Sequence, residues 1–300
     1  MHTKEQLLGS LSIFTATVIY GFFSILARVV GYSIPIFYQN WTREAVATLL
    51  LILMVVATKT AWKPLSPSAT KWILLRTVVG SATFLTYFYC INHMPIGTTY
   101  FLFYGGTGVF GYLLGMMLFN EKLTPVKWIS IMLALSGLLL IFSLNFTNTP
   151  LYLILMALAA GAGSAFWYSI VKKVTTYPVI QLTLLDNLIP IPVYIIISLS
   201  IGEQWIIPTF TPVWIASFIY GALFVITGSL VVYGFHRVEA QIGTIIMLAE
   251  VPIAIFLAFL FYKETISLTA VIGGILILSA ILIPEILMLR ANHKKRKNNT

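Results

Sequence analysis

Charge is what this chain has least of. Asp, Glu, Lys and Arg together make up 9% of its 300 residues, against about 25% in ordinary soluble domains. So little charge cannot keep the surface of a water-soluble protein of this size solvated, which excludes a soluble globular enzyme. Cysteine is nearly absent too. Cys90 stands alone inside an apolar stretch, which excludes an intrachain disulfide and a cysteine-based metal cluster and leaves a small buried apolar residue. Polar stretches long enough to form an aqueous domain are missing. So are an HExxH motif, a clustered His/Asp set and a Walker-type phosphate loop. No catalytic residue, metal ligand or cofactor is assigned, and ATP hydrolysis is unsupported.

What is present is apolar. Hydrophobic residues are 59% and aromatic residues 14% of the chain, with a mean hydropathy of +0.95. Disorder needs the opposite composition, so the class that remains is a polytopic membrane protein, all-α. The net charge of +9 in a soluble protein would raise the question of nucleic acid. Here the excess lies in short loops and a C-terminal tail, where a lipid bilayer accounts for it and no nucleic-acid partner is expected.

A spanning helix takes roughly 20 mostly apolar residues. Ten such segments are expected, at about 6–27, 35–58, 72–92, 97–119, 126–144, 150–171, 178–200, 212–235, 241–262 and 267–289. The apolar run of segment 1, Leu7 to Ala27, outlasts the 7–15 residues of a signal-peptide core and reads as a retained helix. With the N-terminus inside, nearly every Lys and Arg falls on the inner side, Arg76 counted among them. The outer side holds only Arg28 and Lys263, and Arg43 lies within segment 2. This asymmetry predicts both termini in the cytoplasm and an even number of spans. The tail around His293–Lys297 is expected to act as a topology anchor on lipid.

The chain repeats itself at an offset of roughly 143 residues. Gln39…Glu44 recurs as Gln181…Asp186, His93 as His236, and Ile96-Gly97-Thr98 as Ile242-Gly243-Thr244. Phe119-Asn120-Glu121-Lys122 recurs as Phe261-Tyr262-Lys263-Glu264, and Phe22-Phe23-Ser24…Arg28 as Trp167-Tyr168-Ser169…Lys173. Two units of five segments follow, 1–146 and 147–290, with a basic tail at 291–300. Five is odd, so the second copy enters the membrane from the opposite side. Inverted repeats are the architecture of alternating-access transporters, which bind substrate at the repeat interface near the midplane.

At this point the motifs resemble a known family. Tyr20-Gly21…Arg28 in segment 1, Arg43 in segment 2, the hairpin Phe119-Asn120-Glu121-Lys122-Leu123-Thr124, and Leu248-Ala249-Glu250-Val251-Pro252 ahead of Glu264 are similar to the EamA branch of the drug/metabolite transporter superfamily. Asn120 and Lys263 stand where that family has Gly, and Pro252 sits one place late. The resemblance covers nearly the whole chain. It implies a permease of the bacterial inner membrane for amino acids, nucleosides, polyamines or other metabolites, with its cavity among segments 1, 3, 4, 6, 8 and 9.

Ionisable groups at membrane depth are costly unless paired or wet, so each is a functional candidate. Glu250 leads. Pro252 beside it frees the carbonyl of Leu248 and kinks the segment, and a carboxylate there can bind a cationic group or carry a proton, the one route to proton coupling. Arg43 and Glu44 point about 100° apart and each needs a partner elsewhere. Arg43 either holds a helix end or binds a substrate carboxylate. Glu44 and its repeat mate Asp186 read as structural, and Pro190 and Pro192 are expected to bend segment 7. Glu121 and Glu264 are placed to cap segments 5 and 10 or to act as gates. Tyr20, Tyr87, Tyr104 and Trp167 are the expected cavity lining, able to stack on a substrate or hold its ammonium group.

The reading is a secondary transporter of an amino-acid-like or amphipathic organic solute. The rivals are a non-transporting membrane scaffold and an integral-membrane enzyme on a lipid-linked substrate. The enzyme would need a cluster of polar or metal-binding groups at one interface, and the four histidines are scattered; the scaffold has no need for an inverted repeat or intramembrane carboxylates. Substrate identity, direction of transport and oligomeric state are not legible in the sequence.

Overall fold

The computed structural model describes residues 2–297 except 32, 143, 145 and 148, and leaves the side chains of 2, 3 and 288–297 undescribed. The lipid contacts expected of the basic tail therefore lie outside the described residues. Twelve α-helices and one 3-10 turn follow one another: α1 (His2–Val30), α2 (Ile36–Thr58), α3 (Pro67–His93), α4 (Ile96–Phe119), α5 (Pro125–Ile141), α6 (Leu151–Ser169), the 3-10 turn Ile170–Val174, α7 (Val179–Leu188), α8 (Ile191–Ser200), α9 (Pro212–Phe235), α10 (Ala240–Met247), α11 (Glu250–Tyr262) and α12 (Leu268–Lys297). Among the described residues, nine continuous or nearly continuous helical stretches are long and apolar enough to cross a membrane, and α5 is a shorter tenth. At 1.5 Å per residue its 17 residues reach about 25 Å, still within the range for a spanning helix.

The ends of these helices follow local chemistry. Ser66 and Thr124 accept the amides of Ala69 and Lys127, and Pro67 and Pro125 open α3 and α5. Proline also breaks two spans. Span 7 divides into α7 and α8 around Pro190 and Pro192, and span 9 divides into α10 and α11 just before Pro252. Three helices, α2, α4 and α11, end on left-handed residues, Lys59 (φ 49°), Asn120 (φ 53°) and Lys263 (φ 58°). Asn120 and Lys263 are the two positions where the resembled family has Gly, the residue that adopts this conformation without steric cost.

Packing separates a core from a periphery. α1 lies against α9 and α11, α4 against α6 and α10, α3 against α6, and α2 against α7, α8 and α9. The largest core cluster runs along α10, where Ile245 to Ala249 are buried without interruption. α5 and α12 pair at the edge, where an added Cβ on Gly137 would sit 2.5 Å from the Gly273 carbonyl. Cys90 is buried beside Leu153, as a small apolar residue. Many large apolar side chains, Leu53, Val78, Met117, Ile196 and Leu282 among them, stay exposed. In water such a surface would aggregate. Against lipid it is the expected solvent-facing surface, with every helix satisfying its own backbone.

Candidate functional site

Span 9 carries the site because it is interrupted at its centre. The Leu248 and Ala249 amides fall back on the Ile245 and Ile246 carbonyls, at 3.0 Å each, which closes α10 in a tight turn. Pro252 has no N–H for the Leu248 carbonyl, and the Val251 amide fills that place at 3.2 Å. The expected free carbonyl is thus satisfied, and the bend appears as a tight turn in which Leu248 (φ −67°, ψ −15°) and Ala249 (φ −61°, ψ −18°) stay right-handed. Glu250 becomes the first residue of α11. There the helix dipole favours a carboxylate, although the Val251 and Ile253 amides are already bonded to the Leu248 and Ala249 carbonyls, at 3.2 Å each.

Tyrosines from five helices converge on Glu250. The Tyr104 hydroxyl is within hydrogen-bonding reach of its carboxylate. Its charge also acts on the hydroxyls of Tyr20, Tyr87, Tyr100, Tyr168 and Tyr220. All six tyrosines are half-buried. They form two walls. Tyr20, Phe23, Tyr220 and Phe224 interlock on α1 and α9, with Phe23 and Tyr220 centroids 4.1 Å apart. Tyr87, Tyr100, Phe103 and Tyr104 interlock on α3 and α4. Glu250 takes part in none of the ion pairs among the described residues.

A second polar group lies beside the α1/α9 wall. Arg43 is 5% exposed, and its guanidinium stacks 3.9 Å over the Tyr220 ring. Gly221 makes this possible, since a Cβ there would lie 2.8 Å from the Arg43 carbonyl. Arg76 binds Asp186 at 2.8 Å and the Trp167 carbonyl at 2.6 Å, and lies 4.5 Å over the Trp167 ring. Gly80 gives that indole its space, 2.6 Å from an ideal Cβ. Arg76 is therefore not a loop charge, as its inclusion in the orientation count assumed. It is buried in α3, four residues past the start of the expected segment 3.

The candidates thus sort by position. Tyr20, Tyr87 and Tyr104 are brought together around Glu250. Trp167 touches this cluster through Tyr168 (centroids 5.1 Å) while holding Arg76. Glu44 lies in the field of Asp186 and Arg43, and its Oε2 is buried without a hydrogen-bond partner. Tyr100 was within reach of sequence reasoning, because it precedes Tyr104 by one helical turn and shares its face. Tyr220 carries no such linear signal. Glu203 was missed as well: it accepts the Phe37 and Tyr38 amides at 3.0 and 2.7 Å and caps α2 from across the fold.

Glu121 and Glu264 sit at opposite ends. Glu121 does cap a helix, but α10 and not α5: it accepts the Ala240 and Gln241 amides at 2.7 and 3.1 Å, while Thr124 caps α5. Lys172 stands 3.5 Å away, and Lys127 pairs with Glu239 beside it. Glu264 pairs with Arg28 and leaves α12 to Ser267, which accepts the Ala270 amide at 3.1 Å. Held by Arg28, the Glu264 carboxyl titrates below the usual glutamate range.

An open groove of about 460 Å³ lies apart from this cluster, between the start of α2 and the end of α3, lined by Phe37, Leu85, Phe88 and Tyr89. Its lining is apolar apart from Thr86, Tyr89, Asn92 and His93, so the concentration of chemistry, and not volume, places the candidate site at Glu250. Among the described residues no group of three or more His, Cys, Asp or Glu gathers as a metal site.

Comparison with known proteins agrees with this architecture. The chain is similar to the pseudopaline exporter CntI of Pseudomonas aeruginosa, in two strains, at 22% identity over 279 residues, covering 91% of this chain and 93% of the exporter. A protein of known crystal structure shares the fold, with a TM-score of 0.80 at 15% identity over 93% of this chain and 98% of its own. The model of the EamA-like transporter family matches twice, at residues 7–143 and 151–284, and with that coverage the chain belongs to the EamA-like transporter family, membrane transporters of small metabolites.

Proposed function

We propose that this chain is a secondary transporter that moves an amino-acid-like or amphipathic organic solute across the bacterial inner membrane by alternating access. The observation that carries the reading is the Glu250 carboxylate, set at the break between α10 and α11 and ringed by tyrosines from α1, α3, α4, α6 and α9. A broken helix beside an ionisable group at the bundle centre is how transporters present a site at the midplane. Tyrosine faces hold a cationic group and Glu250 neutralises it. Without a cation of its own, Glu250 is also the proton carrier of a coupled cycle. The halves 1–146 and 147–290 move as inverted units about this point, a reading supported by the two family matches. Lys and Arg crowd the end of the bundle that carries the N-terminus, which supports cytoplasmic termini.

The test is a thermal-shift screen of the detergent-purified protein against a metabolite library, with wild type beside Glu250→Gln. A ligand at a hundredfold excess over Kd stabilises the folded state by about 2.7 kcal/mol. A chemical class that shifts wild type and fails on the variant identifies both the solute and the role of Glu250. Equal shifts in both proteins make Glu250 structural. No shift with any metabolite favours the scaffold.

A further inference from the structure

Among the described residues, Arg43 is a buried, strongly basic group beside the tyrosine cluster with no anion paired to it. It is 5% exposed, yet its Nε and Nη2 are buried with no hydrogen-bond partner. The other buried arginine, Arg76, by contrast has an anion of its own: Nε binds Asp186 at 2.8 Å and Nη1 the Trp167 carbonyl at 2.6 Å, and Nη2 alone is left without a partner. That pair also removes Asp186 as a partner for Arg43. Glu44 is next in the chain and projects about 100° round the helix, and no ion pair joins the two among the described residues. The Tyr220 ring under the guanidinium at 3.9 Å stabilises its charge but accepts no in-plane hydrogen bond. A buried guanidinium with free donors is costly, and such a group is retained where something else supplies the acceptor.

The position of Arg43 says what that is. Tyr220 carries Arg43 on its face while its hydroxyl lies in the field of Glu250. The two opposite charges therefore share one aromatic neighbour, Tyr220. A planar guanidinium fork matches a carboxylate in geometry. We infer that Arg43 is the seat for a carboxylate of the transported solute, so that the solute bridges Arg43 and Glu250 with its anionic and cationic ends. This rests on the cavity reading above and narrows it: a simple amine or a polyamine would leave the Arg43 donors unmet, and a zwitterion would not.

Three probes with one aromatic body separate the charges: L-phenylalanine, phenethylamine and 3-phenylpropionate. Each is titrated by thermal shift against purified wild type, Arg43→Gln, Arg43→Lys and Glu250→Gln. Wild type is expected to bind the amino acid at least tenfold more tightly than the amine. In Arg43→Gln the amino acid falls to the level of the amine, 3-phenylpropionate loses its shift, and the amine is unchanged. Arg43→Lys keeps the charge but not the fork, and retains a weakened preference for the carboxylates. It carries the test if the glutamine variant fails to fold. Binding of both carboxylates to Arg43→Gln as to wild type overturns the inference, and so does a wild type that binds the amine alone. In the latter case amine binding that disappears in Glu250→Gln leaves the cavity reading standing. If no probe shifts wild type, both readings fall together.

Discussion

Glu121 caps Ala240 across the bundle: the carboxylate that closes the α4–α5 hairpin accepts the first amides of α10, at 2.7 Å from Ala240 and 3.1 Å from Gln241. The contact ties the end of the first half to the start of the broken span in the second. Its repeat counterpart does not mirror it. Glu264 is paired with Arg28, and the N-cap residue of α4 is Pro95, which provides no side-chain cap. The two halves are thus tied at both ends by different contacts, a helix cap at one and the Arg28–Glu264 ion pair at the other. Replacing Glu121 by Ala removes the cap, and losses of this kind run to about 0.5–2 kcal/mol. The expected result is a lowered melting temperature together with faster maleimide labelling of a cysteine at Ser164, beside Tyr168, in a Cys90→Ala background. Slower or unchanged labelling would show that Glu121 is a cap and nothing more.

The Arg28–Glu264 pair has a defined pH signature. Both side chains are about half exposed, at 48% and 49%, so salt screens the pair. Because Arg28 holds the Glu264 carboxyl below its usual range, the folded state binds that proton less readily than the unfolded chain. The contribution is therefore fully present above the unfolded glutamate pKa of about 4.3, and it is lost as pH falls through the folded value. Melting curves of wild type and Glu264→Gln should differ at pH 6–7 in low salt and converge on acidification below pH 4. A gap that persists at pH 3 would mean that the carboxylate is not its source.

Much of this architecture was legible in one dimension, and the exceptions have physical causes. Spans show themselves because lipid demands long apolar runs, and the two broken spans were marked by Pro190, Pro192 and Pro252. Arg76 was misplaced because a positive charge near a segment end reads as a loop, although it lay inside the apolar run. The helix that Glu121 caps could not be read at all, since its partner lies 119 residues away and any nearer helix start looks equally suitable. The tyrosines were visible as a population. Which of them face Glu250 depends on the rotation of five helices about their axes, and no linear spacing encodes that. Glu250 was conspicuous for the opposite reason: a lone carboxylate in an apolar run has few explanations.

Arg76 and Asp186 should behave as a unit. They are 3% and 9% exposed and 2.8 Å apart, and they join α3 to the last turn of α7. Removing one member of a buried pair strands the other charge and costs about 3–5 kcal/mol, while replacing both with apolar residues is often far cheaper. Arg76→Met and Asp186→Leu should each lower the thermal midpoint sharply. The double variant should recover much of the loss, giving a large coupling in the mutant cycle. Additive losses would show that the two residues act through separate partners, such as the Trp167 carbonyl for Arg76.

The α4–α6 contact makes a sharper steric prediction. An added Cβ on Gly161 would sit 2.4 Å from the Phe103 carbonyl and 2.9 Å from the Gly106 Cα. Both are backbone atoms, which cannot move aside as a flexible side chain can. Gly105, a residue away on the facing helix, would place its Cβ 3.4 Å from a Leu135 methyl, ordinary van der Waals contact. Gly161→Ala should therefore force the helices apart, at about 1–3 kcal/mol for overpacking of this kind. It should also weaken binding at the cavity, because Tyr104 on α4 and Tyr168 on α6 would separate around Glu250. Gly105→Ala should leave the melting temperature nearly unchanged, or raise it slightly through the better helix propensity of alanine. Thermal unfolding of the two single variants decides the matter, since a propensity effect predicts the same sign for both and a steric effect predicts opposite ones.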